Sequence, residues 1–262
     1  MSGTSLTEQA ATLAIGAACR SLRLPTVRDQ ADALAEAAAR DRLTHRAFLA
    51  EVLTAELDER DGRRRERRIA EARFPRLKRL DDFDLAAAPT ILPGTLAALA
   101  RLAWVAAGEP VVLLGDPGTG KSHLLTGLGI AACERGLRVR YVTAAGLVNE
   151  LAEAADERVL ARTVARYARL DLLCLDELGY VHLDPRGAEL LFQVITERDE
   201  RASIAVASNL PFSEWTSIFP DGRLAAAVVY RLTYRAHVIE TGSASYRLRA
   251  TERARKGGAA TA

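Results

Sequence analysis

The segment VVLLGDPGTGKS, at residues 111–122, has the residue types and the spacing of a phosphate-binding loop. Its glycines let the backbone curve so that amide N–H groups surround an anion, and the Lys121-Ser122 pair follows at the start of a predicted helix. We expect Lys121 to reach the β- and γ-phosphates of a nucleotide and the Ser122 hydroxyl to ligate Mg²⁺. An ordinary turn that matches this pattern by chance is disfavoured, because an apolar strand, the full GxxxxGKS spacing and a helix coincide. The predicted nucleotide-binding residues are Gly115, Asp116, Pro117, Gly118, Thr119, Gly120, Lys121, Ser122 and His123.

A carboxylate pair, Asp176-Glu177, follows the apolar run LLCL and can supply the metal ligand that a phosphate loop needs. Open α/β sheets bind ligands at the carboxyl ends of their strands, so we expect the pair at the same edge of the sheet as the loop. Asp176 is predicted to hold Mg²⁺, directly or through water, and Glu177 to polarise the attacking water. A pair that only ends the strand is the alternative, which the upstream phosphate loop disfavours.

Three more polar residues lie between the fourth and fifth apolar runs and can act on the terminal phosphate. Asn209 ends the run IAVAS, and it is predicted to orient the attacking water or to sense the γ-phosphate. Arg231 and Arg235 precede the last predicted strand, where an arginine can reach the nucleotide of a neighbouring subunit and contribute roughly 10³ to 10⁵ in rate. The simpler alternatives are an ordinary exit from a strand for Asn209 and surface ion pairs for the two arginines.

These residues need a scaffold, and the second part of the sequence alternates short apolar runs with segments of helix length. This alternation favours a parallel sheet covered by helices on both faces. The predicted strands are Val111–Leu114, Val139–Val142, Leu172–Leu175, Ile204–Ala207 and Val238–Ile239. The predicted fold class is therefore α/β, with a five-stranded parallel sheet.

The first part of the sequence contains helical patterns only, which predicts a small all-helical domain. Thr26 is predicted to cap a second helix, and Thr44 to begin a third that runs through Leu57. The joining segment LDDFDLAAAPTILPG contains two turn-prone prolines, Pro89 and Pro93. We predict a helical domain at residues 1–72, a nucleotide-binding module at 73–250 and a flexible tail at 251–262.

The composition indicates the expected cellular location and whether the cysteines form zinc sites or disulfides. The formal net charge is +2, and the apolar runs are shorter than the roughly 18 residues that cross a bilayer. The start, MSGTSLTEQA, lacks the pattern of a signal peptide, so we expect a cytoplasmic protein with no membrane partner. The cysteines Cys19, Cys133 and Cys174 lie far apart in apolar settings, which predicts buried reduced thiols and neither zinc nor disulfides.

Two clusters of arginines are candidates for contact with DNA. The first has the spacing i, i+3, i+4, i+7 and i+8, which places its members on one face of a helix, suited to phosphate contacts that do not specify sequence. It consists of Arg60, Arg63, Arg64, Arg67 and Arg68. The second lies between the second and third strands and consists of Arg158, Arg162, Arg166 and Arg169. A solvated helix face is the alternative for both, and the first cluster is the stronger candidate.

Four segments extend these motifs over most of the chain: RIAEARFPRLKRLDDFD, VVLLGDPGTGKSHLLTGLGIAACERGLRVRYVTAAGLV, LLCLDELGYVHLDPRGAELLFQVITERDERASIAVASNLPFSEW and RLAAAVVYRLTYRAHVIETGSASYRLR. Together they resemble the IstB family of ATP-binding transposition helpers, relatives of the DnaC helicase loaders in the AAA+ superfamily of P-loop NTPases. The resemblance implies a Walker A motif at Gly115–Ser122, a Walker B motif at Asp176 and Glu177, sensor 1 at Asn209 and an arginine finger at Arg231. Tyr230 stands where the family often has an acid.

The resemblance implies an AAA+ ATPase that uses ATP and Mg²⁺ and binds double-stranded DNA. It also implies a homo-oligomer assembled through ATP at the subunit interfaces, and a partner transposase of an insertion sequence that the ATPase targets or activates. A DnaC-like replicative helicase loader is the nearest alternative, because it would share every nucleotide-binding residue. A small-molecule P-loop kinase is disfavoured by Glu177, Asn209 and Arg231 together. An ATP-gated binding protein that scarcely hydrolyses is a further alternative, which steady-state turnover with and without DNA would separate.

Overall fold

The computed structural model describes residues 7–243 and 245–246. The chain divides into two compact units, Met1–Glu66 and Arg67–Ala262. The division falls within a long helix, N-terminal to the predicted boundary between residues 72 and 73, and that boundary stays a prediction. The predicted flexible tail at 251–262 lies outside the described residues.

The N-terminal unit is helical, as predicted. Its elements are α1 (Glu8–Leu22), α2 (Pro25–Arg40) and most of α3 (His45–Ala72). Thr44 begins α3 as predicted, because its hydroxyl accepts a hydrogen bond from the Ala47 amide at 3.3 Å. Helix α3 then continues past the predicted Leu57 and includes the arginine-rich segment.

The start of α2 differs from the prediction. Thr26 is buried in the first turn of α2 rather than preceding it. The Glu56 carboxylate of α3 accepts hydrogen bonds from the amides of Thr26, at 2.8 Å, and Val27, at 3.2 Å. The predicted capping role of Thr26 is therefore wrong, because an acid 30 residues further along the chain satisfies the free amides of this helix end.

The second unit is built on a parallel sheet with five strands among the described residues. The strands are β1 (Val111–Leu114), β2 (Val139–Thr143), β3 (Leu172–Asp176), β4 (Ser203–Ser208) and β5 (His237–Glu240). The helices are α4 (Pro93–Ala100), α5 (Ala103–Ala106), α6 (Lys121–Glu134), α7 (Ala144–Asp156), α8 (Leu160–Ala168), α9 (Pro185–Arg198) and α10 (Gly222–Thr233). Short 3-10 helices occupy Leu85–Ala87, Leu178–Tyr180 and Phe212–Ser217. The predicted fold class is confirmed.

The strand order is β2-β3-β4-β1-β5, and all neighbouring pairs are parallel. Side chains alternate between the two faces of each strand, so the sheet contributes to a core on each side. Val111 and Leu113 of β1 pack with α4, α5 and α6, whereas Val112 and Leu114 pack with α7, α9 and α10. Strands β1, β3 and β4 are buried on both faces, which explains their continuous apolar sequences.

The segment between α3 and α4 packs closely against α6. A Cβ atom on Gly127 would lie 2.7 Å from Cδ2 of Leu80, and one on Gly129 would lie 2.7 Å from Cε1 of Phe74. Larger residues at these two positions would displace the segment, so the glycines permit its close approach to the helix. The segment therefore lies along α6, and its Phe83 reaches Gly120 at the N-terminal end of that helix.

The two prolines of the joining segment have different positions. Pro89 lies in a turn, as predicted. The turn predicted at Pro93 is wrong, because Pro93 is the first residue of α4. Proline suits that position, since the first amide of a helix has no partner within the helix.

The cysteines are buried free thiols, as predicted. Burial raises the pKa of Cys133 to about 12, so this thiol stays protonated near neutral pH. Within residues 7–243 and 245–246, no cluster of three or more His, Cys, Asp or Glu side chains is arranged to hold a metal ion. The helices of this described part are too short or too polar to cross a membrane.

Candidate nucleotide-binding site

The phosphate loop connects β1 to α6 and depends on glycine conformations. Gly118 and Gly120 have φ angles of 86° and 102°, in the region that side chains with a Cβ atom rarely adopt. A Cβ atom on Gly120 would also lie 2.7 Å from Cε2 of Phe83. The loop therefore has a conformation that other residues would strain, and it leads directly into the N-terminus of α6 at Lys121.

Lys121 is the buried cation of the loop. Its side-chain amine donates hydrogen bonds to the carbonyl oxygens of Gly115, at 2.5 Å, and Asp116, at 2.8 Å. Burial lowers the pKa of Lys121 from its ordinary value, and the nearby charges of Asp176 and Asp116 oppose that shift. Neutral carbonyl oxygens compensate a buried ammonium group less well than phosphate oxygens can, so this arrangement favours an anionic ligand.

The segment that follows β5 lies against the phosphate loop, a contact that the sequence did not predict. The hydroxyls of Thr119 and Thr241 lie 2.5 Å apart. The Gly242 carbonyl accepts a hydrogen bond from the Asp116 amide at 3.0 Å, and the Tyr246 amide donates one to the Gly118 carbonyl, also at 3.0 Å. These bonds hold the backbone of the loop at positions on both sides of its tip.

The carboxylate pair lies at the carboxyl end of β3, as predicted. Asp176 is the last residue of the strand and is 4% exposed. One of its oxygens, Oδ1, accepts a hydrogen bond from the Glu177 amide at 2.8 Å, and the other, Oδ2, accepts one from the Tyr141 hydroxyl. Glu177 has an exposed side chain and a φ angle of 60°, a left-handed conformation that is uncommon for residues with a Cβ atom.

Asn209 follows β4, which lies directly beside β1 in the sheet. Its side-chain oxygen, Oδ1, is buried and has no hydrogen-bond partner among the described residues. Gly179 makes room for this side chain, because a Cβ atom on Gly179 would collide with it. An unpaired buried amide oxygen costs free energy unless a ligand or a water satisfies it, so Asn209 is suited to a ligand in the neighbouring cleft.

One cleft of about 670 Å³ brings the predicted groups together. Its wall includes Pro117–His123 of the phosphate loop, with Asp176, Glu177 and Asn209. Gly115 and Asp116 do not line the cleft, although their carbonyls hold Lys121. The joining segment contributes a further wall, and the ring centroid of its Phe83 lies 5.3 Å from that of His123.

Arg231 and Arg235 do not line this cleft. Arg231 lies on α10, where its guanidinium forms an ion pair with Asp199 at 3.4 Å and lies 4.8 Å from the ring centroid of Phe192. Burial raises the pKa of Asp199, and the charge of Arg231 opposes that shift. Arg235 forms an ion pair with Glu109 at 3.1 Å. Neither arginine reaches the nucleotide site of its own chain, so a catalytic role would require a second subunit.

Four arginines of the first predicted DNA cluster have acidic partners within α3. Glu56 lies 3.1 Å from Arg60 and 3.7 Å from Arg63, and Glu71 lies 3.8 Å from Arg67 and 3.1 Å from Arg68. The side chains of Arg60, Arg63 and Arg67 remain 46–66% exposed. Most of the cluster is therefore accessible to a polyanion, although its charge is partly balanced.

The second predicted DNA cluster does not form a single helix face. Arg158 precedes α8 with a φ angle of 60°, and Arg169 follows the end of α8. Arg166 is paired with Glu150. The spacing that suggested one helical row is thus interrupted at both ends, which weakens this segment as a candidate.

Tyr141 and the segment after β5 are site residues that the sequence did not reveal. A tyrosine within the alternating strand RVRYV is typical of a core position, and a residue after the last strand has no local motif. The available signal for Tyr141 was its place on β2, two residues before the strand end that lies beside Asp176.

The fold and this cleft define a P-loop nucleotide-binding domain of the AAA+ type. The chain belongs to the family of IstB-like ATP binding proteins, whose family model matches residues 17–254. It is 38% identical to an insertion-sequence ATP-binding protein of Sinorhizobium fredii, over 92% of this chain and 82% of that protein. It is 36% identical to the ATP-binding protein of insertion sequence IS5376 from Geobacillus stearothermophilus, over 88% of this chain and 92% of that protein.

Two solved structures have a similar fold at low sequence identity. One is the replication initiator DnaA bound to AMPPCP and single-stranded DNA, with 22% identity and a TM-score of 0.51 over 64% of this chain and 51% of DnaA. The other is DnaI, with 21% identity and a TM-score of 0.52 over 62% of this chain and 90% of DnaI. At this level of identity, both show the AAA+ fold alone.

The residues of the cleft fit a nucleotide triphosphate with Mg²⁺. Lys121 supplies a buried positive charge beside the glycine loop, and the oxygen of Asn209 lacks a partner among the described residues. Carboxylate and hydroxyl oxygens are ligands that Mg²⁺ prefers, and Asp176 and Ser122 provide one of each in the cleft wall.

Proposed function

We propose that this protein is a Mg²⁺-dependent ATPase that assembles on double-stranded DNA and targets or activates the transposase of an insertion sequence. The observation that carries the proposal is the convergence in one cleft of the phosphate loop, Asp176, Glu177 and the unpaired oxygen of Asn209. Its family and its insertion-sequence relatives support the link to transposition.

Each cleft residue has a separate part in the proposed reaction. Lys121 would exchange its bonds to the loop carbonyls for bonds to the β- and γ-phosphates, and the backbone amides at the start of α6 would bind the same phosphates. Ser122 and Asp176 would hold Mg²⁺, which supplies charge neutralisation at the phosphate oxygens when bound. Glu177 would accept a hydrogen bond from the attacking water and polarise it, while Asn209 would orient that water or contact the γ-phosphate.

The exposure of Glu177 agrees with a role toward water rather than toward the metal. Asp176 is buried with a donor at each oxygen, whereas the adjacent Glu177 extends into the cleft from a left-handed backbone. This contrast gives the two neighbouring carboxylates different environments. A water-polarising carboxylate also favours hydrolysis over the alternative of phosphate transfer to a small molecule.

Assembly is proposed because the arginine-finger candidate lies away from the cleft of its own chain. Arg231 is 27% exposed at its side chain, and its guanidinium contacts Asp199, Phe192 and the Ala227 carbonyl of its own chain. A second subunit that presents α10 to the cleft would bring this guanidinium to the phosphates and stabilise the transition-state charge. DNA binding is proposed for the exposed arginines of α3.

Steady-state ATP hydrolysis with Mg²⁺, with and without duplex DNA, tests the catalytic part of the proposal. Glu177→Gln should retain ATP affinity and lower kcat by about 100-fold or more, because it removes an interaction made in the transition state. Glu189→Gln, which alters an exposed acid on α9, is the matched control and should behave as the parent. Hydrolysis by Glu177→Gln at the parental rate would overturn the role of Glu177.

Mixed assemblies test the role of Arg231 in a neighbouring subunit. Arg231→Ala should bind ATP yet fail to hydrolyse it, and Lys121→Ala should fail to bind ATP. A mixture of the two should regain some activity, since one subunit keeps an intact cleft and its neighbour keeps the arginine. Co-assembly without any recovery would argue against a finger acting between subunits.

A further inference from the structure

Tyr141 on β2 is bonded to the carboxylate that is proposed to hold Mg²⁺. Its hydroxyl donates a hydrogen bond to Oδ2 of Asp176, while the Glu177 amide occupies Oδ1 at 2.8 Å. We propose that Tyr141 is a positioning residue that orients the Asp176 carboxylate for divalent metal binding. This inference deepens the proposed function and rests on it.

The parallel register of β2 and β3 brings the two side chains together. Tyr141 lies opposite Cys174, and Thr143 lies opposite Asp176, so the tyrosine is two residues earlier than the strand-end carboxylate. Residues two apart on a strand point to the same face of the sheet, and a tyrosine is long enough to span that diagonal. The hydroxyl therefore reaches the carboxylate from the neighbouring strand of the sheet.

The tyrosine ring is held in place independently of the metal. Tyr141 is 8% exposed and packs edge-on against Phe74, with ring centroids 6.0 Å apart and an interplanar angle of 60°. Phe74 is itself seated against α6, where Gly129 permits its close approach. The hydroxyl consequently has a fixed position, which it can impose on the carboxylate.

The bond leaves the carboxylate able to act as a ligand. An ionised carboxylate offers about four lone-pair positions, and the two donors to Asp176 occupy one on each oxygen. The phenolic hydroxyl of Tyr141 is the donor in this bond, and the ionised carboxylate can only accept. The remaining lone pairs are then the ones available to a cation, and the rotamer that presents them is fixed before the cation arrives.

Tyr141→Phe provides a direct test, since it keeps the ring against Phe74 and removes only the donor. Electron paramagnetic resonance would measure the affinity of Mn²⁺ for the full-length protein saturated with ADP. We expect affinity about 10-fold weaker than in the parent, the usual scale for loss of a hydrogen bond to a metal ligand. Metal-free nucleotide affinity should be unchanged, and the Mg²⁺ concentration that half-saturates hydrolysis should rise while kcat at saturating Mg²⁺ is largely restored.

Tyr167→Phe is the matched control for this experiment. Tyr167 is also buried, and its hydroxyl also donates to a carboxylate, that of Glu150 at 2.7 Å, but neither residue lines the cleft. Its loss should affect stability as Tyr141→Phe does, without changing Mn²⁺ affinity. A reference variant, Asp176→Asn, should lose most of the Mn²⁺ binding.

The outcomes separate this inference from the proposed function. Parental Mn²⁺ affinity in Tyr141→Phe, with weakened affinity in Asp176→Asn, would overturn the positioning role and leave the proposed function intact. Absence of Mn²⁺ binding by the parent–ADP complex would overturn both. Equal weakening in Tyr141→Phe and Tyr167→Phe would assign the effect to general destabilisation and also reject the positioning role.

Discussion

The nucleotide cleft and the arginine cluster of α3 both contain charged residues at recognisable spacings in the sequence. They differ in burial, because the charged groups of the cleft are mostly buried and the arginines of α3 are mostly exposed. Lys121 and Asp176 are 8% and 4% exposed, and Asn209 has a buried oxygen without a described partner. The arginines of α3 lie mostly in solvent beside Glu56 and Glu71. A single buried polar group can therefore have a large effect on binding that depends on its geometry. Exposed charges contribute to binding of a polyanion mainly through how many of them make contact.

The largest effect should come from Lys121→Ala, which removes the buried cation of the cleft. Charge-assisted hydrogen bonds contribute about 1.5–3 kcal/mol each, so nucleotide affinity should fall by about 100-fold or more. Isothermal titration calorimetry with ATP would measure this loss. Arg138→Ala is the control, because Arg138 is a cation paired with Asp171 just before the start of β2, and it should leave affinity unchanged.

The arginine cluster should respond gradually and without regard to DNA sequence. Changing Arg63, Arg64, Arg67 and Arg68 to Ala should weaken duplex binding and reduce its salt dependence by about 0.9 log units for each lost phosphate contact. Fluorescence anisotropy at several salt concentrations, with ATP present, measures the slope. Nucleotide affinity should stay at the parental value, because none of these arginines lines the cleft.

A comparable set of four substitutions at Arg158, Arg162, Arg166 and Arg169 controls for the change in net charge. This set should alter the salt slope less than the α3 variant does, since its arginines do not form one helix face. An unaltered slope in the α3 variant would reject DNA contact by that helix, and a larger change in the control set would move the interface to α8.

Gly120→Ala should have a moderate effect confined to the cleft. The backbone at Gly120 has a φ angle of 102°, and a new Cβ atom would lie 2.7 Å from Phe83, so alanine must strain or shift the loop at a cost of about 1–3 kcal/mol. We expect nucleotide affinity to fall by about 10-fold in the same calorimetric titration. Gly94→Ala on α4, where no atom lies within 4 Å of the new Cβ, should leave affinity at the parental value.

The smallest effect should come from Glu56→Gln, which alters the cap of α2. Burial alone would raise the pKa of Glu56, but hydrogen bonds from the amides of Val27 and Thr26 and from Arg60 hold it below its ordinary value of 4.5. A lowered pKa in the folded state means that the charged carboxylate stabilises the fold above about pH 4.5 and loses this contribution as pH falls through the lowered value. We expect a loss of about 1–2 kcal/mol at pH 7, comparable with other helix caps.

Circular dichroism during thermal unfolding at pH 7 and at pH 3 would measure the difference between parent and Glu56→Gln. The difference should shrink at the lower pH, because the contribution of the charged carboxylate is lost as pH falls through its lowered pKa. Glu59→Gln is the control, because Glu59 is exposed and lies 3.7 Å from Arg63, so its loss should have little effect. A difference that grows on acidification would contradict the capping role of Glu56.

The sequence predicted the phosphate loop, the sheet and the carboxylate pair because each depends on local spacing. The glycines of the loop, the apolar runs of the strands and the Asp-Glu pair at a strand end can each be recognised from a few consecutive residues. Asn209 was also recognised from its place after an apolar run, and the pairing of β4 with β1 then placed it beside the loop. These elements were therefore accessible without any knowledge of tertiary contacts.

The features that the sequence did not predict depend on contacts between distant segments. Glu56 replaces Thr26 at the start of α2 because the two helices pack together, and Tyr141 reaches Asp176 because β2 and β3 are neighbours. The contacts of Thr241 with the phosphate loop have the same origin. Such residues resemble ordinary core or surface positions until the register of the elements is known.

A structure of the protein with a non-hydrolysable ATP analogue and Mg²⁺ would show whether the cleft binds the phosphates of ATP through the loop and Lys121. We expect the phosphates at Gly118–Ser122 and the metal beside Ser122 and Asp176. The Lys121 amine should have moved from the carbonyls of Gly115 and Asp116 to phosphate oxygens. An analogue bound elsewhere, or bound while Lys121 keeps its carbonyl partners, would show that the loop and Lys121 do not bind the phosphates.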